Sequence, residues 1–289
     1  MSKVRNLPMT PSTPKFIFFG TPYVGRDTLA HLVENGYVPS LVVTSPDAPS
    51  GRGHALTACE TKEWALSHNL PVITPQKITK EVVEELDAYG TEYALVVAYG
   101  KILPQSLIDI FPKGVLNVHY SLLPKYRGAS PVEAALLNGD TLTGVSIQKM
   151  VKALDAGDVL EEEEVSILPN ETTRELRPRL VQIGAELLVT TLPLFLSGEA
   201  LYTPQDEAQI TLTHKITKEE GELNLFEDAR LNWNKYRAYA ESPGTYFFME
   251  RGGKRIRVKI KTAQFDGKTF TPLRVVPEGK QEMDYEALV

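Results

Sequence analysis

Two polar residues interrupt a short apolar run in this 289-residue chain, Asn117 and His119 within GVLNVHYSLLPKYRG. At i and i+2 of a strand, an amide and an imidazole project from the same face. Burying such groups without partners costs about 1–3 kcal/mol each, so the pattern marks either a satisfied core histidine or a site. Downstream, LDAGDVL places Asp155 and Asp158 in a glycine turn. An amide, an imidazole and a carboxylate from neighbouring turns suit acyl transfer. Asn117 would donate N–H bonds to an oxyanion as it develops, and a protonated His119 would do likewise. A nearby carboxylate favours the imidazolium and can relay the proton leaving a nucleophile. No G-x-S-x-G is present, and the one cysteine, Cys59, falls at an expected helix start. Direct transfer between two bound substrates is therefore expected, without a covalent enzyme.

The elements that must hold these groups alternate in type. KFIFF, PSLVVTS, PVITP, YALVVAYG and VLNVH read as strands, and TPYVGRDTLAHLVENGY, TACETKEWALSHNL, KITKEVVEELDAYG and PQSLIDIF carry helical spacing. That order predicts an α/β fold with a doubly wound, mostly parallel, Rossmann-like sheet, whose ligands bind outside the carboxyl ends of strands. SPVEAALLNG reads as a helix with Ser130 as N-cap and Pro131 at its first position. GVSIQKM and VLEEEEVSI read as strands joined by a turn, with Glu161–Glu164 a solvated edge or bulge, and TTRELRPRLVQIGAELLVTTLPLFLSG as mostly helix, irregular near Pro178. Residues 1–14 read as a disordered leader, 15–198 as the catalytic domain, 199–215 as a linker and 216–289 as a small OB-like β-barrel.

Bulk properties exclude some functions. The sequence has no run of 18 apolar residues and no secretory h-region, so a cytoplasmic protein is expected, with monomer as the default state. A single cysteine excludes an internal disulfide framework, and the scattered His54, His68 and His214 have no metal-ligand spacing with it. GTP at Gly20–Pro22 lacks the G-x-G-x-x-G of a dinucleotide site and reads as a tight strand-to-helix turn. The net charge of −6 argues against nucleic acid globally, yet Arg251, Lys254, Arg255, Arg257, Lys259 and Lys261 are cationic with no acid among them. Period two sets Ile256, Val258 and Ile260 on a core face and Arg255, Arg257, Lys259 and Lys261 on the other. Such a stripe is either a solvated face or, because like charges in register repel, a surface for a polyanion.

NVHYSLLPKYRGASP, together with LDAGDVL, FFGTP, SPDAPSGRG, VVAYGKILP and the final VVPEGKQEMDYEAL, resembles the folate-dependent formyltransferases over nearly the whole chain from Lys15. The resemblance implies an Asn117–His119–Asp155 catalytic set and 10-formyltetrahydrofolate as donor. It places Ser121, Leu122, Leu123, Pro124 and Asp158 at the folate, Asp158 having turn-capping as its plainer reading. The implied acceptor is the α-amine of methionyl initiator tRNA, in translation initiation, with Asn117 and His119 on the oxyanion and Asp155 keeping His119 charged. Arg52, in a loop over Pro46–Leu56, and the basic strand would contact tRNA. His54 and Ala55 stand where the family commonly has basic residues. The alternative acceptor is a nucleotide amino-sugar, which needs neither the GRG loop nor a basic barrel.

Overall fold

The structure, a computed structural model, describes residues 14–50 and 55–289. Arg52, His54 and the leader up to residue 13 lie outside the described residues. The chain forms two compact units, one of the residues up to Leu116 with Pro193–Glu199, the other of Asn117–Leu192 with Ala200–Val289.

The first unit is built on β1 (Phe16–Gly20), α1 (Tyr23–Glu34), β2 (Leu41–Val43), the short β3 (Ala48–Ser50) and β4 (Ala55–Thr57), α2 (Glu60–Ser67), β5 (Val72–Ile73), α3 (Lys80–Asp87), β6 (Tyr93–Val97) and α4 (Gln105–Ile108). Its parallel strands run in the order β6-β1-β2-β5. The chain winds outward from β1 to β5 and then returns to the other side of β1, which makes the arrangement doubly wound with its switch point between β1 and β6. Phe16–Phe19, Leu41–Val43 and Tyr93–Val97 are buried throughout, the continuous apolar runs of strands covered on both faces. At the carboxyl edge Thr21 Oγ1 donates to the Tyr99 carbonyl at 3.0 Å and meets Ser45 Oγ at 3.2 Å. Gly20 is dictated by this closeness, since a Cβ there would lie 2.6 Å from Phe18 Cε1 and 3.1 Å from the Val97 carbonyl oxygen. The segment expected as a plain loop at Pro46–Leu56 contains an antiparallel pair, β3 with β4.

β7 (Gly114–His119) carries the chain from the first unit into the second. There follow β8 (Arg127–Gly128), α5 (Pro131–Asn138), β9 (Leu142–Lys149), β10 (Val159–Ser166), α6 (Thr173–Ser197), β11 (Leu212–Thr213), α7 (Ala229–Ala238), β12 (Tyr246–Arg251), β13 (Lys254–Phe265), β14 (Phe270–Pro277) and β15 (Met283–Asp284). β9 and β10 pair antiparallel, with a bulge between Val159 and Glu161, and Glu161–Glu164 are exposed. α5 begins at Pro131 after Ser130, as its residues dictate, although the Ser130 hydroxyl makes no cap bond, and it ends at a left-handed Gly139. α6 continues through Pro178. By length and composition it is the one described helix that could cross a membrane; Leu176, Leu180, Val181, Leu188 and Leu192 are buried along it, as in a core helix.

The C-terminal strands form an antiparallel sheet in the order β12-β13-β14-β15. Leu223, Phe247, Val258, Ile260, Val275 and Leu288 form its core. Asp228 caps α7, accepting from the main-chain N–H of Arg230 at 2.8 Å and Leu231 at 2.9 Å. α7 packs on α5, where Asn234 Nδ2 donates to the Leu137 carbonyl at 3.2 Å. Arg177, near the start of α6, bridges Glu133 of α5 and Glu241 beyond α7.

Candidate active site

β7 is buried at every position, and Asn117 and His119 are only 9% and 5% exposed. Their strand leads into SLLPKYRG, which folds back under close restraint. Ser121 Oγ donates to the Lys125 carbonyl at 2.6 Å, and Ser146 of β9 both donates to the Ser121 carbonyl at 2.7 Å and accepts from the Leu123 N–H at 3.0 Å. Tyr126 adopts φ +61°, which turns its carbonyl to the His119 Nε2, 3.0 Å away. A carbonyl only accepts, so Nε2 carries the proton and Nδ1 is the position that gains or loses one.

Nδ1 lies 3.7 Å from Asp155 Oδ2. Asp155 enters from the β9–β10 turn in a left-handed conformation, φ +46°, a strain of about 1–3 kcal/mol of the kind stored at functional sites. Its carboxylate is held on both oxygens: Oδ2 accepts from the Gly128 N–H at 2.8 Å and Oδ1 from Gln148 Nε2 at 3.0 Å. The turn can close this tightly because residue 157 is glycine. A Cβ there would overlap the Lys149 carbonyl oxygen, beside the bond from Lys149 N–H to the Asp158 carbonyl at 2.9 Å.

Burial pushes the His119 imidazole below the ordinary histidine range, and the Asp155 charge and the Tyr126 carbonyl only partly oppose it. Desolvation therefore outweighs the carboxylate expected to keep His119 charged, and the imidazole is neutral at neutral pH. The Asn117 carboxamide hydrogen-bonds no described residue. The residue is buried, but its polar atoms are not among the buried, unpartnered ones; they reach solvent, and a carboxamide open on one side can donate to a ligand carbonyl.

The other residues singled out by sequence divide. Ser121 and Leu123 are buried and Pro124 half-buried in the loop just described. Leu122 points toward Gly144 of β9 and lines a cleft of about 320 Å³ with Lys125, Tyr126, Asp140 and Thr143. Asp158 is exposed, and its carboxylate neither caps the turn nor bonds any described residue. On β13, Arg255, Lys259 and Lys261 are exposed and Arg257 half-buried, and Val258 and Ile260 fall in the core. The two arginines stand over aromatic rings of β12, Arg255 Cζ at 4.0 Å from the Phe248 centroid and Arg257 Cζ at 3.6 Å from that of Tyr246. Lys261 stands at a bulge in the β13–β14 pairing.

Sequence reasoning missed Gln148 and Gln205. Gln148 follows Ser146 at strand spacing, a second polar residue on a buried face and so the same signal as Asn117 and His119. Gln205 carries no local signal; it lies in the segment read as a linker, yet it bonds to Arg127 and to the Asp155 turn. Among the described residues no group of three or more His, Cys, Asp or Glu side chains could hold a metal.

Residues 14–192 match the Formyl transferase family. Methionyl-tRNA formyltransferase of Myxococcus xanthus is 40% identical, over 93% of this chain and 85% of its own length. That of Lactobacillus johnsonii is 36% identical, over 93% and 92%. A solved N-formyltransferase of Helicobacter canadensis, in complex with folinic acid and dTDP-3-aminofucose, superposes with a TM-score of 0.62 at 18% identity, covering 88% of this chain and 90% of its own; at that identity the likeness is one of fold. On its unpaired Asn117, its His119–Asp155 pair and these matches over most of its length, the chain belongs to the formyl transferase family.

Proposed function

We propose that the protein transfers a formyl group from 10-formyltetrahydrofolate to the α-amine of methionyl initiator tRNA, as a cytoplasmic monomer serving translation initiation. The observation that carries this reading is the meeting of His119 and Asp155 beside an unpaired, buried Asn117, in a chain so similar to methionyl-tRNA formyltransferases. The orphaned carboxamide fits a formyl carbonyl. The Ser121–Pro124 loop and the turn carrying Asp158 hold the folate, which supplies the activated formyl group.

Asn117 donates to the formyl oxygen. His119 starts neutral, so it offers little charge to the ground state. As the neutral amine attacks and its proton leaves, Asp155 passes that proton, through water, to Nδ1 of His119. The imidazolium then has its Nε2–H on the Tyr126 carbonyl and its Nδ1–H toward Asp155, so it answers the developing oxyanion by its charge while Asn117 supplies the hydrogen bond. Charge that appears only as the carbonyl becomes tetrahedral favours the transition state over the substrate complex. The tetrahedral species then collapses: the bond from the formyl carbon to the folate nitrogen breaks, that nitrogen takes the proton held at His119 Nδ1 through the same water, and tetrahydrofolate leaves with the formyl group on the methionyl amine. The division into a catalytic part, residues 15–198, and a C-terminal tRNA-binding part, 216–289, belongs to the same reading. Arg255, Arg257, Lys259 and Lys261 present N–H groups to phosphates, the arginines pre-ordered by their stacking, and Arg52 enters the acceptor arm.

The test is a formyl-transfer assay with 10-formyltetrahydrofolate, offering methionyl initiator tRNA and a nucleotide amino-sugar in competition. Formyl-methionyl-tRNA from the wild type, lost in His119→Ala, is the expected result. A formylated sugar with unmodified tRNA overturns the acceptor assignment.

A further inference from the structure

Gln205 lies between two parts of the site. Its Oε1 accepts from Arg127 twice, from Nε at 2.9 Å and from an Nη at 2.7 Å. A guanidinium has only donors, so the amide can face it with its oxygen alone. Nε2 is thereby aimed the other way, where it donates to the Asp155 carbonyl at 2.9 Å and the Gly157 carbonyl at 2.6 Å. Those carbonyls flank the left-handed turn that sets the Asp155 carboxylate 3.7 Å from His119 Nδ1. Two residues earlier, Thr203 is fixed to Val159 by reciprocal main-chain bonds of 2.9 and 2.8 Å, so Gln205 is delivered from a segment anchored at that bridge.

Arg127 makes this arrangement costly to keep. It is 9% exposed and forms no ion pair with any described residue, so its charge rests largely on a neutral amide. A buried guanidinium without a counter-charge is unfavourable, and packing alone would be served by an apolar residue.

We propose that Gln205 is a positioning residue of the transfer site, clamping the Asp155 turn through its two carbonyls while Arg127 fixes the direction of the amide. The inference rests on the function proposed above for its activity readout, but its geometric content does not. Gln205→Glu separates the two halves of the clamp. The glutamate keeps the shape and strengthens the contact to Arg127, but it has no N–H for the carbonyls of Asp155 and Gly157.

Misplacement of a reacting group by about 1 Å can cost roughly 100-fold in rate. Both Gln205→Ala and Gln205→Glu should therefore lose on the order of 10–100-fold in kcat, with KM for the aminoacyl-tRNA little changed. The kcat of the glutamate variant is read below its own melting temperature, so that the loss reports the turn and not unfolding. A kcat near wild type in Gln205→Glu overturns the proposal, for it would mean that Gln205 serves only to hold Arg127. The second readout needs no substrate: the His119 imidazole titration followed by NMR, assigned by its absence in His119→Asn. Its midpoint should move in both Gln205 variants, because Asp155 no longer sits at the same distance. An unmoved midpoint overturns the proposal as well. If the wild type fails to formylate methionyl-tRNA, the proposed function falls, and the NMR result still decides the role of Gln205.

Discussion

Asn117 and His119 occupy equivalent places on one strand face, but their environments give them different work. The Asn117 side chain hydrogen-bonds no described residue, so under the proposed function its contribution is a bond made only with substrate. Removing one oxyanion donor costs roughly 2.7–4 kcal/mol of barrier, or 10²–10³ in kcat. Asn117→Ala should show that loss in kcat with the fold intact, as measured by single-turnover formyl transfer and circular dichroism. His119 has a measurable consequence for stability. Its imidazole resists protonation in the folded chain, whereas an unfolded histidine protonates near pH 6.5, a value typical to about one unit. Below that pH the unfolded chain binds the extra proton, so this contribution is complete above about pH 6.5 and is lost as the pH falls. Denaturant melts at pH 7.5 and 5.5 should show the wild type losing up to about 1.4 kcal/mol per pH unit more than His119→Asn. Equal losses in the two proteins would mean that burial does not control His119. The sequence made the two positions visible because polar residues in an apolar strand are conspicuous. The neutral state of His119 was not visible, because desolvation depends on what surrounds the strand.

At the scale of elements, the site is a strand end and two turns whose backbones leave little room. Left-handed Tyr126 supplies the carbonyl for His119, left-handed Asp155 supplies the carboxylate, and Gly157 lets the β9–β10 hairpin close. Gly157→Ala puts a methyl group into the Lys149 carbonyl, so the turn must open and carry Asp155 with it. The expected result is a loss of about 1–3 kcal/mol in stability and a kcat deficit larger than that loss of folded protein explains. Kinetics measured at full occupancy of the folded state would check this. Asp228→Ala is the contrast: loss of the α7 cap should cost about 1 kcal/mol, and kcat should stay at the wild-type value. The strand and helix order was legible because fully buried parallel strands read as unbroken apolar runs, KFIFF and YALVVAYG above all. The packing of residues 199–215 was not, since a polar segment of two-residue pairings and single hydrogen bonds has no periodicity to betray it. Thr203, Gln205 and Thr211 each find partners dozens of residues away, and no local pattern encodes such distances.

Across the whole molecule a net charge of −6 opposes a polyanionic partner, and the proposed function looks to one cationic strand, β13, to offset it. Period two in RIRVKIK correctly separated core from surface, with Val258 and Ile260 inside and Arg255 and Lys259 outside. It could not show which charges are free to act. Arg255 lies 3.6 Å from Glu222 as well as over Phe248, so part of its charge is already answered within the protein. Lys259 and Lys261 are exposed and have no ion-pair partner among the described residues. If the face binds tRNA, removing one cation that neutralises a phosphate should flatten the plot of log K against log salt by about 0.9 for duplex nucleic acid. Lys259→Ala and Lys261→Ala should each approach that change, and the double variant should approach roughly twice it. Arg255→Ala should fall short, because Glu222 loses its partner at the same time and adds a free negative charge that repels the tRNA without binding a phosphate. Binding of methionyl initiator tRNA measured over a potassium chloride series would separate these cases. Slopes unchanged in the double variant would return β13 to an ordinary solvated face and move the tRNA to another surface, whereas a graded flattening would identify the lysines, more than the stacked arginines, as the charge that draws an acidic protein to an acidic partner.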